Sequence, residues 1–90
     1  MKLKSPEDRS RINKRLRRIE GQVRGVQRMI DEGRDCRDII QQLAAVRSAV
    51  QQAGLEVMRI YAHQCISDSE SAMTPEEVVD YLVGVLGKWS

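Results

Sequence analysis

The sequence predicts an all-α protein, a protomer of two long antiparallel helices and a short third, completed by a second copy into a four-helix core. Three observations predict it. Apolar residues recur at steps of three and four along most of the chain, three strong helix-start signals divide them, and no alternating strand pattern, repeat or low-complexity tract occurs. At 90 residues the chain buries too little surface to be comfortably stable alone, so self-association is expected. With no Phe and an aromatic share of 3%, the core falls to Ile, Leu and Val.

The chain reads as one helical domain over 1–90, with a tail at 1–4 and helices at 5–33, 35–66 and 74–89. In the first helix, Ser5 is the N-cap, Pro6 takes the first helical position, and Glu7 and Asp8 complement the helix dipole. Ile12, Leu16, Ile19, Val23, Val26 and Ile30 then form one apolar stripe that stops at Gly33. Gly21 and Gly25, four apart on one side, are expected to be contact points between helices. The second helix starts at Asp35, with Asp38 answering it as in a capping box, and carries Ile39, Leu43, Val46, Val50, Val57 and Tyr61 at helical intervals. Gly54 is its one weak point. A polar connector follows, and Thr74, Pro75 and Glu77 open a third helix with Val78, Leu82, Val85 and Trp89 on one face.

Charge is distributed unevenly. Residues 1–34 hold 11 Lys/Arg against 5 Asp/Glu, while residues 35–90 hold 4 against 8, although the net charge is only +2. Such an asymmetry is the electrostatic footprint of a nucleic-acid binder, and Arg11, Lys14, Arg15, Arg17 and Arg18, with Arg24 and Arg28, crowd the first helix off its apolar stripe. Solvated basic helices with no such role are equally common, so charge alone leaves both readings open, and no helix-turn-helix lengths or zinc-finger spacing are visible to decide between them. No apolar run reaches bilayer length, and the opening "MKLKSPEDRS" lacks the apolar core of a secretion signal, so a cytoplasmic protein without membrane contact is expected.

Two cysteines in a reducing compartment argue for metal binding, redox sensing or plain burial rather than a structural disulfide. Cys36 and Cys65 are 29 residues apart, about 20° beyond eight full turns, so they project from the same face of the second helix. Along the axis they are about 43 Å apart, beyond the reach of any bond or shared ion. If the helix is continuous across Gly54 and packs antiparallel against its symmetry mate, Cys36 of one protomer approaches Cys65 of the other. The helix dipole, Arg34 and Arg37 favour thiolate at Cys36, opposed by Asp35 and Asp38. Tyr61, four residues before Cys65, shares its face, whereas His63 is turned away by about 200°. Met29 and Met58 are thioether donors that serve packing first.

The segments "INKRLRRIEGQVRGVQRMI" at 12–30 and "GRDCRDIIQQLAAVRSAV" at 33–50, with the late cysteine of helix two, resemble the CsoR/RcnR family of bacterial transcriptional repressors over essentially the whole chain. The resemblance implies a homotetramer of three-helix protomers that binds operator DNA and releases it when an effector meets a site built around Cys36. It bears most on Arg15 and Arg17 as DNA contacts. The copper-sensing members have His at the position of Tyr61 and Cys at that of Cys65. The nickel and cobalt members need further histidines near the N-terminus, and the formaldehyde sensors resemble Met-Pro at their start, where this chain has Lys2 and Leu3.

A pair of cysteines without the histidine resembles the persulfide-sensing CstR branch. Reactive sulfur bridging Cys36 and Cys65 between subunits, with Tyr61 alongside, is therefore the first expectation. The alternative effector is Cu(I), held by Cys36, Cys65 and a third ligand such as His63. No cofactor is required in either case. A third reading, a metal-storage or thiol-relay bundle, leaves the arginines as mere solvation. Catalysis is not expected, because no Ser/His/Asp group, carboxylate pair or Cys-x-x-Cys motif is present.

Overall fold

The computed structural model describes residues 2–67 and 73–89, and the polar connector lies largely outside them. Three helices account for most of these residues: α1 (Pro6–Asp31), α2 (Cys36–Ser67) and α3 (Pro75–Trp89). The described residues contain no strand. α2 contacts both of the others, which do not contact each other. The Cα envelope is 54 × 29 × 12 Å, a layer about one helix thick.

The helix ends follow from local chemistry. Ser5 Oγ accepts from the Asp8 amide at 3.3 Å, and Thr74 Oγ1 accepts from the Glu77 amide at 3.2 Å while its hydroxyl donates to Glu77 Oε1 at 3.3 Å. α1 stops in a Schellman turn: the Arg34 amide donates to Met29 O at 2.9 Å and the Gly33 amide to Ile30 O at 3.1 Å. Gly33 takes φ +71°, a conformation L side chains disfavour. At the start of α2 the reciprocal capping box does not form. Asp35 Oδ1 accepts from the Arg37 amide at 2.8 Å, but Asp38 turns instead to Arg34, with Nη2 to Oδ2 3.8 Å apart.

The apolar stripe of α1 splits in two. Ile12, Ile19 and Val26 are buried against α2, whereas Leu16, Val23 and Ile30, the alternate members of the same heptad rhythm, are 41%, 42% and 57% exposed. α2 is continuous across Gly54, but its buried side differs from the expected set. Ala53 and Ile60 are buried on α2, while Leu43 and Val50 of the expected set are half bare. The reason is that α2 carries apolar residues over more than one face, and α1 covers the edge of the stripe rather than its centre. Val79, Val83 and Leu86 on α3 are also exposed.

Gly21 and Gly25 are not contact points within the protomer: a Cβ built on either meets nothing within 4 Å. Gly54 has that role. A Cβ there would fall within the indole ring of Trp89, so the missing side chain is what seats the end of α3 on α2. Gln51 Nε2 donates to Trp89 O at 3.1 Å and satisfies a carbonyl at the C-terminus of α3. At the other end, with its amide oriented to satisfy both partners, Gln64 donates to Lys2 O and accepts from the Lys4 amide, each at 3.1 Å. The N-terminal tail thus lies along the end of α2.

Replacing Gly54 by Ala is expected to expel Trp89, the only tryptophan, and to red-shift its emission. The gain in helix propensity of about 1 kcal/mol is set against about 1–3 kcal/mol of overpacking, so a net loss of stability is expected. Unchanged tryptophan emission contradicts this account of the α2–α3 seam.

Candidate effector site and DNA interface

Because α2 is one unbroken helix of 32 residues, it is about 48 Å long and holds its two thiols at opposite ends. Cys36 is exposed at the first helical position, next to the Asp35 cap. Cys65 is 4% exposed. The protomer does not bring them together, and no group of three or more His, Cys, Asp or Glu with metal-binding geometry occurs among the described residues. His63 is exposed.

Tyr61 stands one turn before Cys65 and hydrogen-bonds with it. Its hydroxyl also lies 3.0 Å from Met73 Sδ, and its ring packs edge-on against Tyr81 with centroids 5.7 Å apart and planes inclined at 61°. Partial burial, the hydrogen bond to Cys65 and the negative potential of Cys65 and Tyr81 on ionisation all raise the Tyr61 phenol above 10.0. At neutral pH it is a protonated donor rather than an anionic ligand. A groove of about 570 Å³ opens beside it between α2 and α3, lined by Gly54, Met58, Tyr81 and Trp89 among others.

Arg11, Lys14, Arg15, Arg17 and Arg18 are all exposed along α1. Two of them are engaged. Arg11 Nε is 2.5 Å from Glu56 Oε1 and Arg15 Nε is 2.7 Å from Glu56 Oε2, while Arg11 Nη2 donates to Asp8 Oδ1 at 2.8 Å. Further along α1, Arg24 faces Glu20 at 3.7 Å. Sequence reasoning passed over Glu56, although a signal existed: it is the only acidic residue between Asp38 and Asp68. By helical period, Lys14 and Arg17 lie on the side of α1 away from the buried Ile12, Ile19 and Val26, and Arg18 lies on its flank.

The family of metal-sensitive transcriptional repressors matches this chain over residues 8–88. The chain belongs to this family, the CsoR/RcnR repressors. It is 37% identical over 87 residues to the copper-sensing transcriptional repressor CsoR of Bacillus subtilis (strain 168), covering 97% of this chain and 86% of that one. Its fold matches that of the copper-sensing repressor CsoR with Cu(I) from Geobacillus thermodenitrificans NG80-2 at a TM-score of 0.79 and 35% identity, over 99% and 93% of the two chains. A single-residue variant of the formaldehyde-responsive regulator FrmR from Salmonella enterica serovar Typhimurium matches at 0.75 and 34% identity, over 96% and 98%. The protein is accordingly a transcriptional repressor rather than an enzyme, and no helix among the described residues is long and apolar enough to cross a membrane.

Two measurements test this geometry. In reduced protein, iodoacetamide is expected to label Cys36 before Cys65, as read by peptide mass mapping; the reverse order contradicts the burial difference. A raised phenol binds its proton more tightly in the folded state than in the unfolded chain. Its contribution to stability is therefore full below pH 10 and is lost as pH climbs through the folded value. Absorbance at 295 nm is expected to show a tyrosinate component above pH 10 that Tyr61→Phe removes.

Proposed function

We propose that this repressor responds to Cu(I), held between Cys36 of one protomer and Cys65 of a partner, and that Cu(I) binding lowers its affinity for operator DNA. The observation that carries the reading is the placement of the chain's only two thiols on one face of α2 at opposite ends, which makes them meet only between antiparallel copies. The uncovered residues Leu16, Val23, Ile30, Leu43 and Val50 supply an apolar surface for such pairing, and a homodimer or homotetramer follows from it. Soft thiolates select Cu(I), and two of the relatives named above are copper-sensing repressors that match nearly the whole chain. Those relatives favour Cu(I) over the reactive-sulfur effector that the missing histidine points to. Tyr61 does not supply the absent imidazole, because a protonated phenol is a poor donor to Cu(I); the two thiolates are the ligands, with Tyr61 hydrogen-bonded to Cys65.

One observation favours a second reading, reactive sulfur. Cys65 is accompanied by a phenol and the lone His63 is exposed, so the pair is chemically a dithiol. One thiolate attacks an inorganic polysulfide, takes up a sulfur atom and releases the shortened polysulfide. The partner's thiolate attacks the resulting persulfide, forming an intersubunit disulfide and expelling hydrosulfide, so the polysulfide is the two-electron oxidant. Either effector acts by favouring the subunit arrangement that binds DNA less well.

Reduced protein on a duplex selected from random sequence, challenged anaerobically with Cu(I) in one arm and sodium tetrasulfide in the other, separates the readings. Release by stoichiometric Cu(I), lost in Cys36→Ser and in Cys65→Ser, is the expected outcome. Release by tetrasulfide alone, with bridged dimers on non-reducing gels, selects the second reading, and release by neither removes both. On the DNA side, Arg15→Ala is expected to weaken binding uniformly across sequences and to reduce the slope of log affinity against log salt by about one. An unchanged slope removes Arg15 from the phosphate contacts.

A further inference from the structure

Glu56 is an anomaly in α2. Its side chain is 10% exposed, and two arginines from α1 converge on it, each through Nε. Arg11 and Arg15 are one helical turn apart, so one carboxylate between them receives the inward edge of both guanidiniums. The two side chains are 49% and 45% exposed, and of the outer nitrogens of Arg11, Nη2 is held by Asp8 Oδ1 at 2.8 Å. The Arg15 contact is ionic rather than a formed hydrogen bond, since Glu56 Oε2 lies 2.7 Å from Nε but receives no aligned N–H.

We propose that Glu56 is a positioning residue for DNA binding, holding Arg11 and Arg15 by their Nε edges so that the Nη groups of Arg15, and the one of Arg11 that Asp8 does not hold, face the phosphates of the duplex. This rests on the reading of α1 as the DNA-binding face. The physical reason is the shape of guanidinium: its planar fork has two donor edges and serves two anions at once, one within the protein and one on the ligand. If the arginines left Glu56 for phosphate, a buried carboxylate would be stranded, which is strongly unfavourable. Keeping the inner contact while adding the outer one avoids that cost and reduces the side-chain freedom lost on binding. Because Glu56 is on α2, any shift of α2 along α1 re-aims both forks.

The test uses the full chain and a duplex selected from random sequence with the wild-type protein, with affinity read by anisotropy across a salt series. Glu56→Gln, which keeps the shape and removes the charge, is expected to bind about tenfold more weakly with a shallower salt slope. In the Arg11→Ala, Arg15→Ala background the same change is expected to add no further loss. Glu56→Asp is expected to recover part of the affinity. Equal or tighter binding by Glu56→Gln overturns the proposal, because the carboxylate would then mask the arginines rather than aim them. The same loss in both backgrounds also overturns it and leaves Glu56 a purely structural group. If Glu56→Gln fails to fold, Arg15→Lys decides: it keeps the charge but not the fork, so weakened binding supports the proposal and wild-type affinity overturns it. Wild-type affinity and salt slope in the Arg11→Ala, Arg15→Ala variant itself remove α1 as the DNA face, a failure of the underlying reading that is distinct from the Glu56 outcomes.

Discussion

Each long helix of this protein carries more apolar surface than one neighbour can cover. Ile12, Ile19 and Val26 close against α2, while Leu16, Val23 and Ile30 on the same stripe stay open. The flat envelope, one helix thick, is the geometric expression of that shortage: there is no second layer within the protomer to complete the core. Hydrophobic burial is the main favourable term in folding, and within the single chain it is left unfinished.

α2 is the element on which the rest is arranged. Its length keeps Cys36 and Cys65 apart, and its continuity through Gly54 keeps them on one face. The glycine that weakens the helix intrinsically is the position where α3 docks, because only there does the backbone leave room for the Trp89 indole. Tyr61 and Glu56 lie on the same segment, five residues apart. The tyrosine reaches Cys65 and α3, and the glutamate reaches the arginines of α1. The thiol end and the cationic helix are thus joined by a little more than one turn of a rigid rod, the physical arrangement a repressor needs if chemistry at sulfur is to be felt at DNA.

Family membership sets the biology at the level of a metal-sensitive transcriptional repressor, and a phenol, Tyr61, stands one turn before the second cysteine. Partial burial and the contact with Cys65 hold it in the neutral form at neutral pH.

The three helices, their caps at Ser5 and Thr74 and the turn at Gly33 were legible in the sequence, because each depends on neighbours within a few residues. The shared face of the two cysteines was legible too, being a matter of helical period alone. Tertiary structure decided which apolar residues α1 covers, placing Ala53 and Ile60 inside in place of Leu43 and Val50. It assigned the close-approach role to Gly54 rather than to Gly21 or Gly25, and it turned Asp38 toward Arg34 instead of into a capping box. It also drew Arg11 and Arg15 onto Glu56, 45 and 41 residues away along the chain. Periodicity reports which residues share a side of a helix, but the rotation of one helix against another comes from the packing of both surfaces at once, and no stretch of either helix contains that information.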